Sequence, residues 1–316
     1  MKPKILISHP VDTENLNERF SSLEFDCLPS ASKKYEEVSK VISQYDGLFS
    51  LQVNVDQDLL DKASRLKVVV NYGVGYDNID VPAATKRNVL VSNLPESTSL
   101  PTAELAMTLI LSLLRGTVRN HNDIHGGQLN DWGVRSILGN SLQNKTLGIL
   151  GMGRIGKWLA RLAAPFGVHI LYHNRREAED VEDLNVQYVS LDKLLSESHI
   201  ISVHTPLTDQ TRGFINGSCF AKMKSEAVII NTARGPVIDE SALIHALDTG
   251  QIAGAALDVF DHEPSVNPLL LNRPNVIVSP HVGTGTTEAR EAMFQEGISN
   301  LAAFFSGGRL TGIVNG

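Results

Sequence analysis

Residues 146–156, TLGILGMGRIG, decide the fold of this chain. Thr146 to Leu150 form an apolar, partly β-branched run of the kind a strand buried on both faces requires. Gly151-Met152-Gly153-Arg154-Ile155-Gly156 follows without a spacer, and a helix-compatible stretch runs from Lys157 to Phe166. Gly167 stops that helix, and residues 168–172 read as a second strand. Strand, GxGxxG, helix and strand together form the unit that receives a dinucleotide. Gly151 permits the tight turn, Gly153 lets the backbone approach a pyrophosphate, and Gly156 lets helix and strand pack closely. The pyrophosphate then faces the N–H groups and positive dipole end of the helix, where Arg154 and Ile155 stand. Glycines in such a turn can be purely structural; the correct flanks on both sides carry the binding reading.

Composition sets the bounds around this unit. At 316 residues the chain exceeds one typical core, so two domains are expected. With 42% hydrophobic and 20% charged residues it has the make-up of an ordinary globular protein. A formal charge of −7 argues against nucleic acid or an anionic membrane as partner. An anionic ligand then needs local positive charge, which makes individual arginines matter. Cys27 and Cys219 are too few for a disulfide framework or a cysteine-based zinc site, and no metal is expected. The start, MKPKILIS, has no long apolar signal region, and the longest apolar stretch, 105–114, is too short to span a bilayer. A cytoplasmic protein is the default expectation.

Outward from the glycine turn, short buried strands alternate with helical segments. Residues 4–8, 47–51, 68–72 and 89–93 read as strands, with helices at 34–44 and 57–63 between them. Pro101 is placed to open a long apolar helix over 102–114, with Glu104 in its first turn. Residues 116–138 are polar and irregular, with His121, His125 and Trp132, and read as a mobile flap or a plain surface loop. From Lys145 onward, strands at 199–203, 227–231, 254–259 and 276–279 and a helix at 240–249 continue the α/β alternation. The last helical segment, 287–305, is expected to cross back to the first domain. The fold class is therefore α/β with two doubly wound parallel-sheet domains. Residues 1–98 plus 287–316 form a smaller flavodoxin-like substrate domain, residues 99–286 a Rossmann-type domain, and the active-site cleft is expected between them.

Three strand ends of the second domain carry polar groups that a simple fold does not need. They are Asn231-Thr232-Ala233-Arg234-Gly235, Leu257-Asp258-Val259-Phe260-Asp261-His262-Glu263-Pro264 and Ser279-Pro280-His281-Val282-Gly283. An arginine at a strand's carboxyl end suits bidentate recognition of a carboxylate. Taken singly, each segment has a bland reading as a surface arginine, a loop carboxylate or a turn histidine. Three at successive strand exits beside a nucleotide site point to a catalytic constellation. In the first domain, Asn71-Tyr72-Gly73-Val74-Gly75-Tyr76-Asp77 is a bland turn or a backbone nest for a carboxylate. The second strand of the dinucleotide unit bears on cofactor choice. NAD-specific sites want Asp or Glu about 20 residues past the glycines. Here the chain reads Tyr172-His173-Asn174-Arg175-Arg176. Asn174 replaces the carboxylate that would repel a 2′-phosphate, and Arg175 and Arg176 can pair with one. NADP(H) is preferred and NAD(H) remains possible.

With these residues in place, the chain resembles the D-isomer-specific 2-hydroxyacid dehydrogenases over nearly its whole length. GMGRIG (151–156), NTARGPVID (231–239), ALDVFDHEP (256–264) and SPHVG (279–283) carry the resemblance. NYGVGYDNID (71–80) and VHTPLTDQTRGFIN (203–216) extend it. It implies Arg234, Glu263 and His281 as the catalytic set. Arg234 would clamp a 2-oxo acid, His281 would protonate its carbonyl oxygen as the nicotinamide delivers hydride, and Glu263 would orient the imidazole and favour its charged form. Leu51, Val74 and Gly75 would join Arg234 and His281 around the substrate. Thr102 and Asp258 match positions near the nicotinamide, and His204, Pro206 and Thr211 the adenine side, although His204 is equally readable as a strand-end histidine. Thr232, Ala233 and Gly283 complete the cofactor contacts. Gln52, Leu100 and Trp132 are further candidates to line the substrate pocket.

The resemblance implies a reductase of small 2-oxo acids, of the glyoxylate/hydroxypyruvate type. Bulkier acids such as phenylpyruvate and hydroxyphenylpyruvate are the close alternative, and pocket size decides between them. A phosphoglycerate dehydrogenase is disfavoured because no extra regulatory domain is expected, and a formate dehydrogenase because Glu263 stands where those enzymes carry another partner. A non-catalytic dinucleotide sensor of the corepressor kind shares this fold; the intact Arg234–Glu263–His281 set favours turnover. A homodimer is also implied, through the long apolar helix from Thr102 and the loop after it.

Overall fold

Alternating β-branched strands and capped helices produce two units in the computed structural model, which describes residues 1–29, 34–129 and 132–316. One unit comprises Met1–Thr98 with Thr286–Gly316, the other Ser99–Gly285. The chain begins with β1 (Lys4–Ile7), α1 (Thr13–Arg19), β2 (Glu24–Cys27), α2 (Lys34–Val41) and β3 (Gly47–Ser50). It continues through α3 (Gln57–Lys62), β4 (Val68–Asn71), α4 (Val81–Lys86) and β5 (Leu90–Ser92). Asp12, Asp56 and Asp80 cap α1, α3 and α4 with side-chain oxygens on first-turn N–H groups, each worth roughly 1 kcal/mol.

The long helix α5 spans Pro95–Arg115, and α6 follows at Thr117–His125. Both differ from the sequence expectation. Pro101 lies inside α5, which opens six residues earlier at Pro95. A proline there removes one helical hydrogen bond, while Ala103, Ala106, Leu109 and Ile110 bury the helix in the core of the second unit and hold it together. The helix is long and apolar enough to cross a membrane by length and composition, and half of that window is buried inside the fold. Residues 117–125 form a helix where an irregular segment was expected. Gly116, at φ +62°, ends α5, and the nine residues after it carry no glycine or proline. None of them is buried, so no apolar stripe marked the helix in the sequence. Of the expected flap, residues 130 and 131 lie outside the described part.

The second unit continues with β6 (Thr146–Leu150), α7 (Arg154–Ala163), β7 (His169–His173), β8 (Val186–Tyr188), α8 (Leu191–Glu197) and β9 (Ile200–Val203). Then come α9 (Gly217–Phe220), β10 (Val228–Asn231), α10 (Glu240–Asp248), β11 (Gly254–Leu257) and β12 (Val276–Val278). The last helix, α11 (Thr287–Ser306), belongs to the first unit. Its Met293, Ile298 and Leu301 pack with Phe49, Val68 and Val70.

Among the described residues the first unit holds a five-stranded sheet in the order β2-β1-β3-β4-β5, and the second a seven-stranded sheet in the order β12-β11-β10-β9-β6-β7-β8. All pairings are parallel. Both are doubly wound, and ligands of such sheets sit beyond the carboxyl ends at the strand-order reversal. In the second sheet that reversal lies between β6 and β9. The register sets Asn231 opposite Leu257 and Leu257 opposite Val278, so β10, β11 and β12 release their chains at one edge. The edge strands β2 and β8 had no strand expectation, because EFDC and VQY are short and lack the apolar run of a central strand.

Candidate active site

β6 runs into Gly151, whose φ of +100° makes the turn. A Cβ there would lie 2.7 Å from the His204 carbonyl carbon, so the turn abuts the exit of β9. A Cβ on Gly156 would come 2.4 Å from the Gly151 oxygen, which fixes how close α7 can approach. Gly153 differs: nothing lies within 4 Å of a Cβ built on it, and no side chain caps α7. The first-turn N–H groups of α7 have no intrahelical acceptor, and the space around Gly153 beside them is open. The backbone of His204 and Thr205 after β9 abuts the turn, and Thr232 follows β10, the next strand; the side-chain atoms concerned are Thr205 Oγ1, His204 Nδ1 and Thr232 Oγ1. All three atoms are buried without a hydrogen-bond partner among the described residues. Burial lowers the His204 pKa to about 4, and its Nε2 pairs with Ser202 Oγ at 2.8 Å. Unpaired buried polar atoms are costly, and a ligand rich in hydroxyls, phosphate oxygens and an amide supplies their partners. These residues fit a nicotinamide dinucleotide.

The exit of β7 is tied to the same turn. Asn174 Oδ1 accepts the Met152 N–H at 2.7 Å, and Tyr188 donates its hydroxyl to the Asn174 carbonyl at 3.1 Å. Arg175 and Arg176 are exposed beside it, with Arg175 Nη1 donating to Gln210 Oε1 at 3.3 Å. Thr211 spends its hydroxyl on its own loop, donating to the Pro206 carbonyl at 2.6 Å and accepting the Thr208 N–H at 2.8 Å.

The three polar strand exits converge. Asn231, 1% exposed, folds the first: its Nδ2 donates to the Arg234 carbonyl at 2.9 Å and its Oδ1 accepts the Ala233 N–H at 3.0 Å. Gly235 then packs on the exit of β11 so closely that a Cβ would sit 2.0 Å from the Phe260 carbonyl carbon. Arg234 is held beside this exit, with Nη1 donating to the Ala233 carbonyl at 2.8 Å. Glu263 takes the Phe260 N–H on Oε1 at 3.1 Å and His281 Nδ1 on Oε2 at 2.7 Å. Burial pushes the Glu263 carboxyl up, but the hydrogen bond and charge of His281, the Phe260 N–H and the Arg234 charge outweigh it and hold it below its ordinary value.

Asp258 organises the third exit. It is wholly buried, and burial raises its pKa despite its donors. It accepts from Ser279 Oγ at 2.6 Å, the Val282 N–H at 2.9 Å and the Gly283 N–H at 2.8 Å. Its carbonyl takes the His281 N–H at 2.8 Å. These bonds hold His281 at φ +51°, a left-handed conformation rare for histidine. With Nδ1 committed to Glu263, Nε2 is the nitrogen His281 can offer a substrate. The sequence placed Asp258 beside the nicotinamide; its carboxylate oxygens are all engaged by this turn. Asn231 was missed as a positioning residue, although Asn two residues before a turn N–H is an Asx-turn signal. A Cβ on Gly283 would lie 3.3 Å from Thr102 Oγ1, so Thr102 flanks the same turn.

In the first unit, β4 opens into Gly73 at φ +149°. Asn71 Nδ2 donates to the Gly75 carbonyl at 2.6 Å and Asn93 Nδ2 to the Val74 carbonyl at 2.7 Å. With their carbonyls clamped, the Val74 and Gly75 N–H groups have no acceptor among the described residues. Leu51, half-buried after β3, donates its N–H to Ser8 Oγ at 2.7 Å. Gln52 is exposed at φ +56°, Leu100 is half-buried, and Trp132 is 77% exposed. Among the described residues no three His, Cys, Asp or Glu side chains cluster as a metal would require.

A doubly wound sheet with a glycine turn at its reversal, together with a second, flavodoxin-like unit, defines a dinucleotide-binding protein. Residues 107–283 match the family model for the D-isomer specific 2-hydroxyacid dehydrogenase, NAD binding domain. Glyoxylate reductase of Thermococcus litoralis is 41% identical, over 100% of this chain and 97% of that one. The NADPH-dependent glyoxylate/hydroxypyruvate reductase of Sinorhizobium meliloti, solved with NADP and malonate, superposes with TM-score 0.87 at 32% identity, covering 99% of this chain and 97% of that one. D-Lactate dehydrogenase of Aquifex aeolicus, solved with NAD and lactic acid, superposes with TM-score 0.86 at 28% identity, covering 99% of each. The chain belongs to the D-isomer-specific 2-hydroxyacid dehydrogenase family and is an NAD(P)-dependent oxidoreductase.

Proposed function

We propose that this enzyme reduces small 2-oxo acids of the glyoxylate/hydroxypyruvate type to D-2-hydroxy acids, with NADPH as its preferred cofactor. The observation that carries the reading is the 2.7 Å His281–Glu263 pair beside Arg234. Full-length identity to glyoxylate reductase supports the substrate class.

When bound, the nicotinamide supplies hydride to C2. Arg234 holds the substrate carboxylate and carbonyl oxygen through its planar fork. In the first unit, the Val74 and Gly75 N–H groups form a nest that suits a carboxylate oxygen, and Leu51 follows the neighbouring strand β3. His281 Nε2–H donates its proton to the carbonyl oxygen as the alcohol forms, and Glu263 stabilises the imidazolium before transfer. In oxidation the same nitrogen takes the hydroxyl proton back.

The cofactor preference rests on the exit of β7. Asn174 has its amide oxygen on Met152, so the group left to offer is an NH2 donor, suited to phosphate oxygens. Arg175 and Arg176 add charge for a 2′-phosphate. Thr205, Thr232 and His204 satisfy their side chains on the rest of the dinucleotide, and Thr102 flanks the nicotinamide. A second copy of the chain is proposed to cover the exposed apolar residues around α6.

The test is oxidation of NADPH and NADH with glyoxylate, hydroxypyruvate and phenylpyruvate, with chiral analysis of the product. The reading expects NADPH-linked turnover of the two small acids, weak use of phenylpyruvate and the D enantiomer from hydroxypyruvate. Equal use of NADH would remove the role given to Arg175 and Arg176, and binding of either cofactor without turnover would favour the sensor reading.

A further inference from the structure

The carboxyl edge of the first sheet carries two polar side chains that the reaction above does not use. His9 follows β1 and packs its ring against Tyr72, Phe49 and Phe294, with centroids 5.4, 6.0 and 6.5 Å away. Its Nδ1 is buried with no hydrogen-bond partner among the described residues. Burial, and then the charge of Lys34, lower its pKa to about 4, so the ring is neutral at pH 7. Lys34 opens α2 and donates from Nζ to the Leu51 carbonyl at 3.3 Å. Burial alone pushes its pKa down, with no carboxylate charge opposing. A half-buried ammonium on one carbonyl and an imidazole nitrogen without a partner are both held at a cost.

Their place in the sheet gives the cost a use. β1, β3 and β4 are adjacent, and the order reverses at β1 and β3, where ligands of such sheets collect. Strand exits lie about 5 Å apart. The Val74–Gly75 N–H pair beyond β4, Leu51 beyond β3 and His9 beyond β1 are thus three successive stations along roughly 10 Å, with the Lys34 ammonium fixed to the middle one. A carboxylate anchored at the first station sends its chain past Leu51 towards Lys34 and His9.

We propose that Lys34 and His9 form a subsite for a second anionic group on the substrate, so that the preferred 2-oxo acids include dicarboxylates of four or five carbons. Lys34 supplies the charge, and His9, neutral, supplies a ring N–H. This rests on the 2-oxo acid reading of the same site.

Steady-state kinetics with 2-oxoglutarate and 2-oxopentanoate test it, because the two share chain length and differ in the terminal charge. A KM at least tenfold lower for 2-oxoglutarate is expected. Lys34→Met abolishes that ratio and Lys34→Arg retains it; His9→Phe narrows it. Lys34→Gln serves as a second neutral variant, and circular-dichroism melts show that each variant is folded. A ratio near one in the wild type, or one unchanged by both neutral variants, overturns the subsite. If glyoxylate and every other 2-oxo acid are left unreduced, the 2-oxo acid reading fails instead. Calorimetric titration with the same two acids then still decides the subsite, since equal affinity contradicts it.

Discussion

His281 is held in a left-handed backbone conformation by a carboxylate 23 positions earlier in the chain, and that long reach shows what kind of site this is. Arg234, Glu263 and His281 stood out in the sequence as candidates because three polar strand exits follow one another beside a glycine turn, and the resemblance named them. The residues that aim them did not. Asp258 spends its buried carboxylate on Ser279, Val282 and Gly283, bonds that exist only after β11 and β12 pair. Glu263→Gln keeps a hydrogen-bond acceptor for His281 but removes the charge. It should lower kcat by roughly 10²-fold, the lower end of what a positioned acid contributes, with little change in KM for NADPH. The variant also has a pH signature. The folded Glu263 carboxyl lies below its ordinary value of 4.5, so its stabilisation is complete above that pH and fades as pH falls through the folded value. Melting curves of wild type and variant should converge as the buffer is taken below pH 4.5. A difference that grows with acidification in that range contradicts the assignment. Arg175→Ala with Arg176→Ala should raise KM for NADPH at least tenfold, taking charge-assisted pairing with phosphate at about 1.5 kcal/mol or more, and leave NADH kinetics unaltered.

At the scale of elements, the β6–α7 turn separates a packing glycine from a binding glycine. A Cβ on Gly156 would collide with the Gly151 oxygen, whereas one on Gly153 meets nothing within 4 Å. Gly156→Ala should therefore destabilise the fold by about 1–3 kcal/mol, as overpacking does. Gly153→Ala should leave the melting temperature nearly unchanged and weaken dinucleotide binding, read by fluorescence titration. The reverse pattern would contradict the placement of the pyrophosphate. Central strands such as VVVN and VIIN were legible because both faces are covered and their first three residues are apolar and β-branched. Edge strands β2 and β8 were hidden by their polar residues. Helix α6 was hidden for another reason: with no residue buried, it shows no periodic stripe, and Gly116 before it resembles the start of a loop.

For the whole molecule, the exposed apolar residues between 118 and 138 need an explanation. Ile124, Trp132, Val134 and Leu138 are all exposed, Val134 almost completely at 94%. Such a concentration on one short stretch suits the proposed interface, which a twofold copy would cover with the same residues from both chains. Sedimentation at micromolar concentration should give a dimer, and Trp132→Asp with Val134→Asp should shift it towards monomer. A wild type that sediments only as monomer contradicts this. The two-unit, doubly wound plan followed from alternation of strands and helices. The polar strand exits stood out in the sequence, and the roles proposed for Arg234, Glu263 and His281 came from the family resemblance.

The central claim is that His281, held by Glu263, delivers the proton while the nicotinamide delivers hydride. The most direct measurement is NADPH oxidation with glyoxylate by wild type and His281→Ala, alongside NADPH affinity of both. The account predicts a loss of at least about 10³-fold in kcat/KM, within the range of general acid catalysis, with NADPH affinity changed by less than about threefold, or roughly 0.7 kcal/mol. Turnover in the variant within tenfold of wild type would contradict it and return the proton to another group.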